Sequence, residues 1–405
     1  MCGMNVLFVH QNFPAQLGML AMHLRGVRGW DCRFACKTGG DGVSIPIIRY
    51  ADEGQVSAQV HFLARNFESC ARAAMGVYRA VRDSGYRPDL IIGHSGFGST
   101  VLLKELFQCP VINLFEFYYQ PHSDERAYRK EFPMEAEYQR RLRVLNAAIL
   151  SDLDAADAGY TPTHFQRNQF PHAYLPKIRM LFDGVDDALF RPMADGGRKI
   201  AGHEIPADKK IVTYVARGFE STRGYDIFVR AAKRVYEQYP DVLFVVVGSD
   251  RVCYGGDLRY IRQKSFKEHV DAVERPDPTK FLYTGLIPTP ELARLLAISD
   301  AHMYFTVPFV LSWSLFNALS SGCRVISSAT PPVREVIEHG YNGLLADFYD
   351  VEGHAENVLR VLRDGEGTRV MGVRARETIQ ARYSCSRVIP QFERMIREVM
   401  GRQVF

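Results

Sequence analysis

Short apolar runs alternate with longer amphipathic segments through the first part of the chain. Residues 6–9, 90–92 and 110–115 are largely apolar, and each run is followed by glycine or polar residues. Residues 13–25 and 57–83 instead repeat apolar side chains at helical spacing. Strands that are apolar throughout and alternate with helices are typical of a parallel sheet covered on both faces. The first half is therefore predicted to be a doubly wound α/β domain.

The same alternation starts again in the second half, after a stretch of different composition. Residues 171–209 contain several prolines and glycines and few long apolar runs, which is typical of a connection between domains. Beyond it a helix is predicted from about Tyr225. Apolar strands are predicted at residues 210–215, 243–248, 301–305 and 324–327. The chain is therefore predicted to form two Rossmann-like α/β domains that face a central cleft.

The predicted domain boundary lies within this connection. The N-terminal domain is expected to cover residues 1–182 and the C-terminal domain residues 183–385. The last segment, residues 386–405, places apolar side chains at helical spacing. This segment is predicted to be a helix that could pack on either half, including back on the N-terminal domain.

Composition and charge narrow the class of protein. The chain has 405 residues, with 50 Lys and Arg against 46 Asp and Glu, and the net charge of +4 is spread along it. This small excess argues against a nucleic-acid binder, which usually carries a concentrated basic face. No apolar run is long enough to span a bilayer, and the start lacks the pattern of a secretory signal. We expect a cytoplasmic protein with reduced cysteines, and contact with the inner face of the membrane remains open.

An arginine-rich loop follows the strand predicted at residues 210–215. Arg217 and Arg223 flank this loop, and a predicted helix begins directly after it. Ligands of open α/β sheets bind beyond the carboxyl ends of the strands. A helix start offers N–H donors and partial positive charge, and two guanidinium groups add fixed donors, so the loop suits a diphosphate. Two solvated surface arginines are the alternative.

A second strand-to-helix junction lies at residues 306–322. Ser312 and Ser314 are good capping residues for a helix that begins near Ser312, and they are predicted to leave N–H groups pointing outward. This would be a second helix end that is receptive to an anion. An ordinary capped core helix is the alternative.

A series of short motifs runs through the second half. They are residues 183–186, 190–192, 217–224, 247–249, 281–285, 299–300, 318–322, 331–337 and 342–345. Each motif is weak alone, but their order and spacing make the joint signal strong. In these motifs the chain resembles the family-4 retaining glycosyltransferases of the GT-B fold, of the bacterial type.

This resemblance implies a donor site in the C-terminal domain. By position, Arg217 and Arg223 would hold the donor diphosphate and act as catalytic residues, because they would oppose the negative charge that grows on it. The other residues implied in donor binding are Gly218, Gly248, Phe309, Val310, Leu311, Ser312 and Asn317. The family usually has two glutamates with seven residues between them at the second junction, and those positions hold Phe309 and Asn317 here. Asn317 can still form hydrogen bonds, whereas Phe309 cannot make a polar contact.

The first half matches the family more loosely. Residues 8–14 resemble the opening of some bacterial members, which places His10, Gln11 and Asn12 on the acceptor side, and Glu116 follows a strand where it could meet an acceptor. His94 ends a strand where the family commonly has an active-site histidine. Its place at a strand end beside glycines favours function over a structural role, which remains the alternative. The charged run 124–143 is predicted to be a solvated helix face.

The resemblance implies transfer of a sugar from a nucleotide diphosphate sugar to an acceptor hydroxyl, with retention, in polysaccharide or glycoconjugate biosynthesis. The partners would be the nucleotide sugar and a glycan or other hydroxyl acceptor, without a metal or other cofactor. Because of Phe309 and Asn317, a catalytically silent binding protein is one alternative. A nucleotide-sugar epimerase on the same fold is another.

Overall fold

The structure, a computed structural model, describes residues 3–97, 100–120, 128–132, 136–193 and 197–401. The chain forms two compact units. The N-terminal unit comprises Met1–His122, Glu135–Asp183 and Val388–Phe405, and the C-terminal unit comprises Ser123–Met134 and Gly184–Arg387. Each unit is built on its own parallel sheet, so the predicted pair of Rossmann-like α/β domains is confirmed.

The N-terminal unit alternates strands and helices along the chain. Its strands are β1 (Asn5–Val9), β2 (Asp31–Cys36), β3 (Ile47–Arg49), β4 (Leu90–His94), β5 (Val111–Leu114), β6 (Ala158–Thr161) and β7 (Ile178–Met180). Its helices are α1 (Gly18–Arg28), α2 (Arg65–Asp83), α3 (Ala136–Ala155) and α4 (His164–Arg167). The strands pair in parallel in the order β3-β2-β1-β4-β5-β6-β7, so the order reverses beside β1. Ligands of such sheets bind at this switch point, beyond the carboxyl ends of β1 and β4.

The C-terminal unit repeats this arrangement. Its strands are β8 (Lys199–Ile200), β9 (His203–Glu204), β10 (Lys210–Gly218), β11 (Val242–Ser249), β12 (Phe281–Gly285), β13 (Ala301–Tyr304), β14 (Arg324–Ser328) and β15 (Leu344–Ala346). Its helices are α5 (Tyr225–Gln238), α6 (Phe266–Glu274), α7 (Thr289–Ala297), α8 (Trp313–Ser320), α9 (Pro331–Arg334), α10 (Val351–Arg363) and α11 (Arg369–Arg382). The main sheet has the order β12-β11-β10-β13-β14-β15, and its switch point lies between β10 and β13.

The last helix, α12 (Cys385–Gly401), contributes to the core of the N-terminal unit. Val388, Phe392 and Met395 are buried in the same cluster as Phe8 of β1. The ring of Phe392 packs edge-on against Tyr160, with ring centroids 4.9 Å apart. The apolar face of this amphipathic helix therefore covers one side of the first sheet.

Most predicted elements are confirmed, and the departures lie at their ends. The helix predicted over residues 57–83 begins only at Arg65. The predicted connection at residues 171–209 contains β7, which completes the first sheet. The charged run 124–143 lies partly outside the described residues, at 124–127 and 133–135. Within it Arg129 is only 1% exposed, so the prediction of a solvated face is wrong for this residue.

Across the described parts of the chain, no helix is long and apolar enough to cross a membrane. The cysteines in these parts are all free, and most of them are buried.

Candidate functional site

The arginine-rich loop of the C-terminal unit lies at the carboxyl end of β10. This strand carries one extra residue relative to β11, because its register shifts between Val215 and Gly218. A bulge of this kind re-aims the side chains around it. Arg217 lies within the bulge and is exposed, whereas Gly218 is buried at the end of the strand. The bulge therefore presents the Arg217 side chain to solvent at the ligand-binding edge of the sheet.

The second arginine of the loop is buried. Arg223 is 6% exposed, and its Nη1 donates to Thr306 Oγ1 and to the Val310 carbonyl oxygen, both at 2.9 Å. The rings of Tyr254 and Phe309 lie 5.2 and 5.8 Å from its Cζ, within the range of cation–π attraction. Arg223 thus joins the loop after β10 to the loop after β13, on the two sides of the switch point.

Phe309 occupies the position at which the family usually has its first glutamate. It is 6% exposed, and its ring meets that of Tyr254 edge-on at 5.7 Å. Instead of a carboxylate, the Arg223 guanidinium therefore faces two aromatic rings at this place. Asn317, at the second glutamate position, lies half-buried on α8.

The start of α8 differs from the prediction. Ser312 is the N-cap, and its Oγ accepts from the Ser314 N–H at 3.3 Å, so the predicted cap is confirmed. The Ser312 N–H donates to Tyr304 Oη at 2.8 Å. Both N–H groups are used inside the protein, so the prediction that they point outward is wrong. Leu311, just before the cap, is buried at 7% exposure.

Two acidic side chains that sequence reasoning missed hold the loop after β10 in place. Glu220 is fully buried, and its Oε2 accepts the backbone N–H groups of Cys253, Tyr254 and Gly255 at 2.8, 2.8 and 3.0 Å. Asp257 accepts the Ser221 N–H at 2.8 Å and the Ser221 hydroxyl, and burial raises its pKa to about 6. The loop that carries Tyr254 is thereby fastened to the arginine loop.

In the N-terminal unit, His94 and His10 lie at the carboxyl ends of β4 and β1, at the switch point. Their rings stack with centroids 5.0 Å apart and planes 8° apart, and Phe97 packs edge-on against His94. His94 is 2% exposed, and within the described residues neither of its ring nitrogens has a hydrogen-bond partner. Burial lowers the pKa of His94 to about 3, so its imidazole is neutral.

The other residues predicted on the acceptor side lie in the same unit. Glu116 follows β5, and its Oε2 lies 3.6 Å from His94 Nε2, which is too long for a hydrogen bond. Its Oε1 accepts from Gln16 Nε2 at 3.1 Å. The Asn12 N–H donates to His10 Nδ1 at 3.0 Å. The Gln11 carbonyl oxygen accepts a hydrogen bond from the Lys37 N–H at 2.8 Å. The structure therefore brings His10, Asn12 and Glu116 towards His94. The backbone of Gln11 instead forms a hydrogen bond with the Lys37 backbone.

A buried carboxyl group, also missed by sequence reasoning, supports the turn after His94. Asp152 is 1% exposed and accepts from Ser95 Oγ and Thr100 Oγ1, both at 2.8 Å, and from the Gly96 N–H at 3.3 Å. Burial raises the pKa of Asp152 to about 6, although these hydrogen bonds favour its ionised form. A long-range contact of this kind has no local sequence signal.

Replacing Asp152 with asparagine should change the pH dependence of stability. A carboxyl group with a raised folded pKa stabilises the fold below its unfolded pKa of about 3.8, and this contribution is lost as the pH rises through about 6. From pH 4 to pH 7.5 the wild type should therefore lose roughly 2–3 kcal/mol relative to Asp152→Asn. Urea unfolding across this range measures the difference, with Asp154→Asn on the exposed face of α3 as the control. Parallel profiles for wild type and Asp152→Asn would contradict the expected ionisation.

No cluster of three or more His, Cys, Asp or Glu side chains suited to a metal ion occurs among the residues that the structure describes. Among the described residues, Arg217 and Arg223 bring cationic groups to the carboxyl end of β10.

Comparison with solved structures shows the same fold. Sucrose-phosphate synthase from Thermosynechococcus elongatus superposes with a TM-score of 0.73 at 19% identity, over 98% of this chain and 99% of that one. Anabaena HepE in complex with UDP and glucose superposes with a TM-score of 0.72 at 14% identity, over 98% and 100% of the two chains.

Comparison with curated sequences finds partial matches. N-acetyl-alpha-D-glucosaminyl L-malate synthase of Bacillus anthracis is 24% identical over 260 residues, 63% of this chain and 63% of the relative. Spore coat protein SA of Bacillus subtilis is 24% identical over 230 residues, 55% of this chain and 58% of the relative. This chain therefore matches less than two thirds of the length of these relatives.

Family-level matches cover both units. Residues 28–190 match the glycosyl transferase family 4 group, and residues 197–378 match the glycosyl transferases group 1. These adjoining matches account for most of both sheets, and the architecture is that of the solved GT-B enzymes. The N-terminal unit thus matches one glycosyltransferase family and the C-terminal unit another, both on the GT-B fold.

Proposed function

We propose that this protein is a retaining glycosyltransferase that moves a sugar from a nucleotide diphosphate sugar to an acceptor hydroxyl. The observation that carries the proposal is the carboxyl edge of the second sheet, where exposed Arg217, buried Arg223 and the start of α5 follow one strand. Guanidinium groups and a helix start favour bound phosphate. The family matches support the reaction type, and the donor residues are proposed on the same basis.

The proposed reaction places its largest charge change on the leaving group. As the bond from the anomeric carbon to the diphosphate oxygen breaks, negative charge grows on the diphosphate. Arg217, aided by the positive end of α5, would stabilise this charge in the transition state. Arg223 would add its charge while it holds the loop after β13. These groups supply the positive charge that a metal ion would otherwise bring, so we propose a reaction without a metal or other cofactor.

The group around His94 is proposed to recognise sugar or acceptor hydroxyls in the N-terminal unit. A neutral imidazole offers one N–H donor and one acceptor nitrogen, which together suit a hydroxyl group. Because the pKa of His94 is about 3, its basicity is too low for efficient removal of a proton near neutral pH. We therefore assign His94 to binding, with His10, Asn12 and Glu116 beside it.

The acceptor is proposed to be a glycan or another hydroxyl compound of polysaccharide or glycoconjugate biosynthesis. Uridine diphosphate is the first nucleotide to test, because the similar HepE structures contain UDP or UDP-glucose. Peripheral contact with an anionic membrane face is part of this proposal, since the small positive net charge of +4 is compatible with it.

Nucleotide binding provides the direct test. In excess EDTA, uridine or guanosine diphosphate at about 100 times its Kd should stabilise the protein by about 2.7 kcal/mol, seen as a higher Tm. Arg217→Ala combined with Arg223→Ala should remove this shift. Because Arg223 is buried, the double variant could lose stability. Arg217→Gln is therefore the companion variant, which should fold normally and show a smaller increase in Tm than the wild type.

The control for this test is Arg363→Gln, at the end of α10. Helices that follow parallel strands run back towards the amino edge of the sheet, so this arginine lies away from the donor loop. If no nucleoside diphosphate in a panel raises the Tm of the wild type, the proposed donor site is ruled out. A normal shift in the double variant would rule out the assigned arginines.

A further inference from the structure

A short segment from the first half of the sequence belongs to the C-terminal unit. Residues 111–120 precede it and residues 136–183 follow it in the N-terminal unit, whereas residues 128–132 pack in the C-terminal unit. Within this segment Arg129 is 1% exposed and is one of the largest fully buried side chains of the described residues. A buried arginine needs polar partners for its charge and its donors.

The guanidinium of Arg129 holds both ends of the turn that carries Arg223. Its Nη1 and Nη2 donate to the two carboxylate oxygens of Asp226 at 3.0 and 2.8 Å. Nη1 also donates to the Ser221 carbonyl oxygen at 2.6 Å. Ser221 opens the short 3₁₀ turn Ser221–Arg223, and Asp226 is the second residue of α5. One side chain thus spans the turn and the helix start that follows it.

Aromatic rings keep this ion pair out of water. The rings of Phe132 and Phe348 lie 5.3 Å from Arg129 Cζ, and that of Tyr349 lies at 5.8 Å. Tyr349 Oη also donates to the Tyr128 carbonyl oxygen at 2.9 Å, which fastens the segment. In such surroundings a two-pronged hydrogen bond is strong and directional, and it cannot be exchanged for water.

Both partners of the pair stay charged despite their burial. Burial alone would raise the pKa of Asp226, but the charges and hydrogen bonds of Arg129 and Arg230 lower it. Burial likewise opposes the charge on Arg129, whereas Asp226 raises its pKa. A buried ion pair is often no more stabilising than apolar residues of the same size. The hydrogen bonds of this pair fix the positions of the Ser221 carbonyl group and of the first turn of α5. Apolar residues would not reproduce this property.

We propose that Arg129 is a positioning residue for the donor diphosphate. It fixes the Ser221 carbonyl and the first turn of α5 on either side of Arg223, and so sets the shape of the phosphate-binding loop. The inference rests on the proposed function, because it assumes that this loop binds a diphosphate. A residue that follows the N-terminal strand β5 in sequence would then determine the affinity for the donor.

The test compares a nucleoside diphosphate with its nucleoside, because only the diphosphate carries the phosphate groups that the arginine loop is proposed to bind. The probes are uridine diphosphate and uridine, or the guanosine pair if guanosine diphosphate gives the thermal shift. Arg129→Gln should weaken binding of the diphosphate by about 10- to 100-fold, while nucleoside binding changes less than about twofold. Arg129→Lys keeps the charge but loses the two-pronged hydrogen bond, so its Kd for the diphosphate should lie between those of the wild type and Arg129→Gln. Isothermal titration calorimetry measures each Kd.

Arg234→Gln on α5 is the matched control, since Arg234 is half-exposed and pairs with Glu352 at the surface. It should bind both probes as the wild type does. Equal weakening of diphosphate and nucleoside, or unchanged diphosphate binding in Arg129→Gln, would overturn the positioning role. So would loss of folding in both Arg129 variants, which would make the residue purely structural. A wild type that binds no nucleoside diphosphate would instead refute the proposed function.

Discussion

Replacing Arg217 with glutamine is expected to lower kcat for sugar transfer by about 10²–10³-fold. Arg217 is exposed within the β10 bulge, and its guanidinium group lies at the carboxyl edge of the sheet. The diphosphate becomes more negative as it leaves, so a guanidinium fixed beside it stabilises the transition state more than the ground state. KM for the donor should therefore change less than kcat.

The measurement is steady-state transfer from sugars carried on the nucleoside diphosphate that gives the thermal shift, together with the Tm of each variant. Because Arg217 is exposed, Arg217→Gln should unfold within a few degrees of the wild type. Arg363→Gln, at the opposite edge of the sheet, should keep the wild-type kcat. If Arg217→Gln raised KM alone, the side chain would bind the donor without assisting bond cleavage, contrary to the proposed role.

The fold class could be predicted because several of its strands are marked by strong local patterns. Residues 6–9 and 243–248 are apolar throughout, as strands buried on both faces must be, and both became central strands. β7 was missed because it has only three residues, of which Ile178 alone is buried. The start of α2 was misplaced because the apolar residues before Arg65 continue the helical spacing without a helix.

Only part of the site could be predicted. Arg217 and Arg223 stand at a strand-to-helix junction, a local pattern that is visible in the sequence. Glu220 and Asp152 are held by partners far away along the chain, so nothing near them indicates burial. Arg129 lies in a strongly charged run, and charge normally indicates exposure, yet Asp226 neutralises it inside the protein. Buried polar residues depend on tertiary contacts that a single sequence does not reveal.

Replacing Gly248 with alanine is expected to destabilise the C-terminal unit by about 4 kcal/mol. Gly248 has φ of 147°, a conformation that residues with a Cβ rarely adopt. A Cβ at this position would overlap the carbonyl oxygen of Ala216 and press on the ring of Phe219. Both strain and overlap therefore act at the same residue, and the neighbouring backbone has little room to yield.

The same substitution should also weaken donor binding beyond its effect on stability, because Ala216 precedes Arg217 in the bulge. Moving its carbonyl group would re-aim the arginine side chain. Gly256→Ala is the matched control, since Gly256 has φ of −110° and no atom lies within 4 Å of its added Cβ. Urea unfolding and nucleotide titration on both variants separate the two effects. If Gly248→Ala were as stable as Gly256→Ala and bound the nucleotide as tightly, the close approach of β11 to the bulge would not be what aims Arg217.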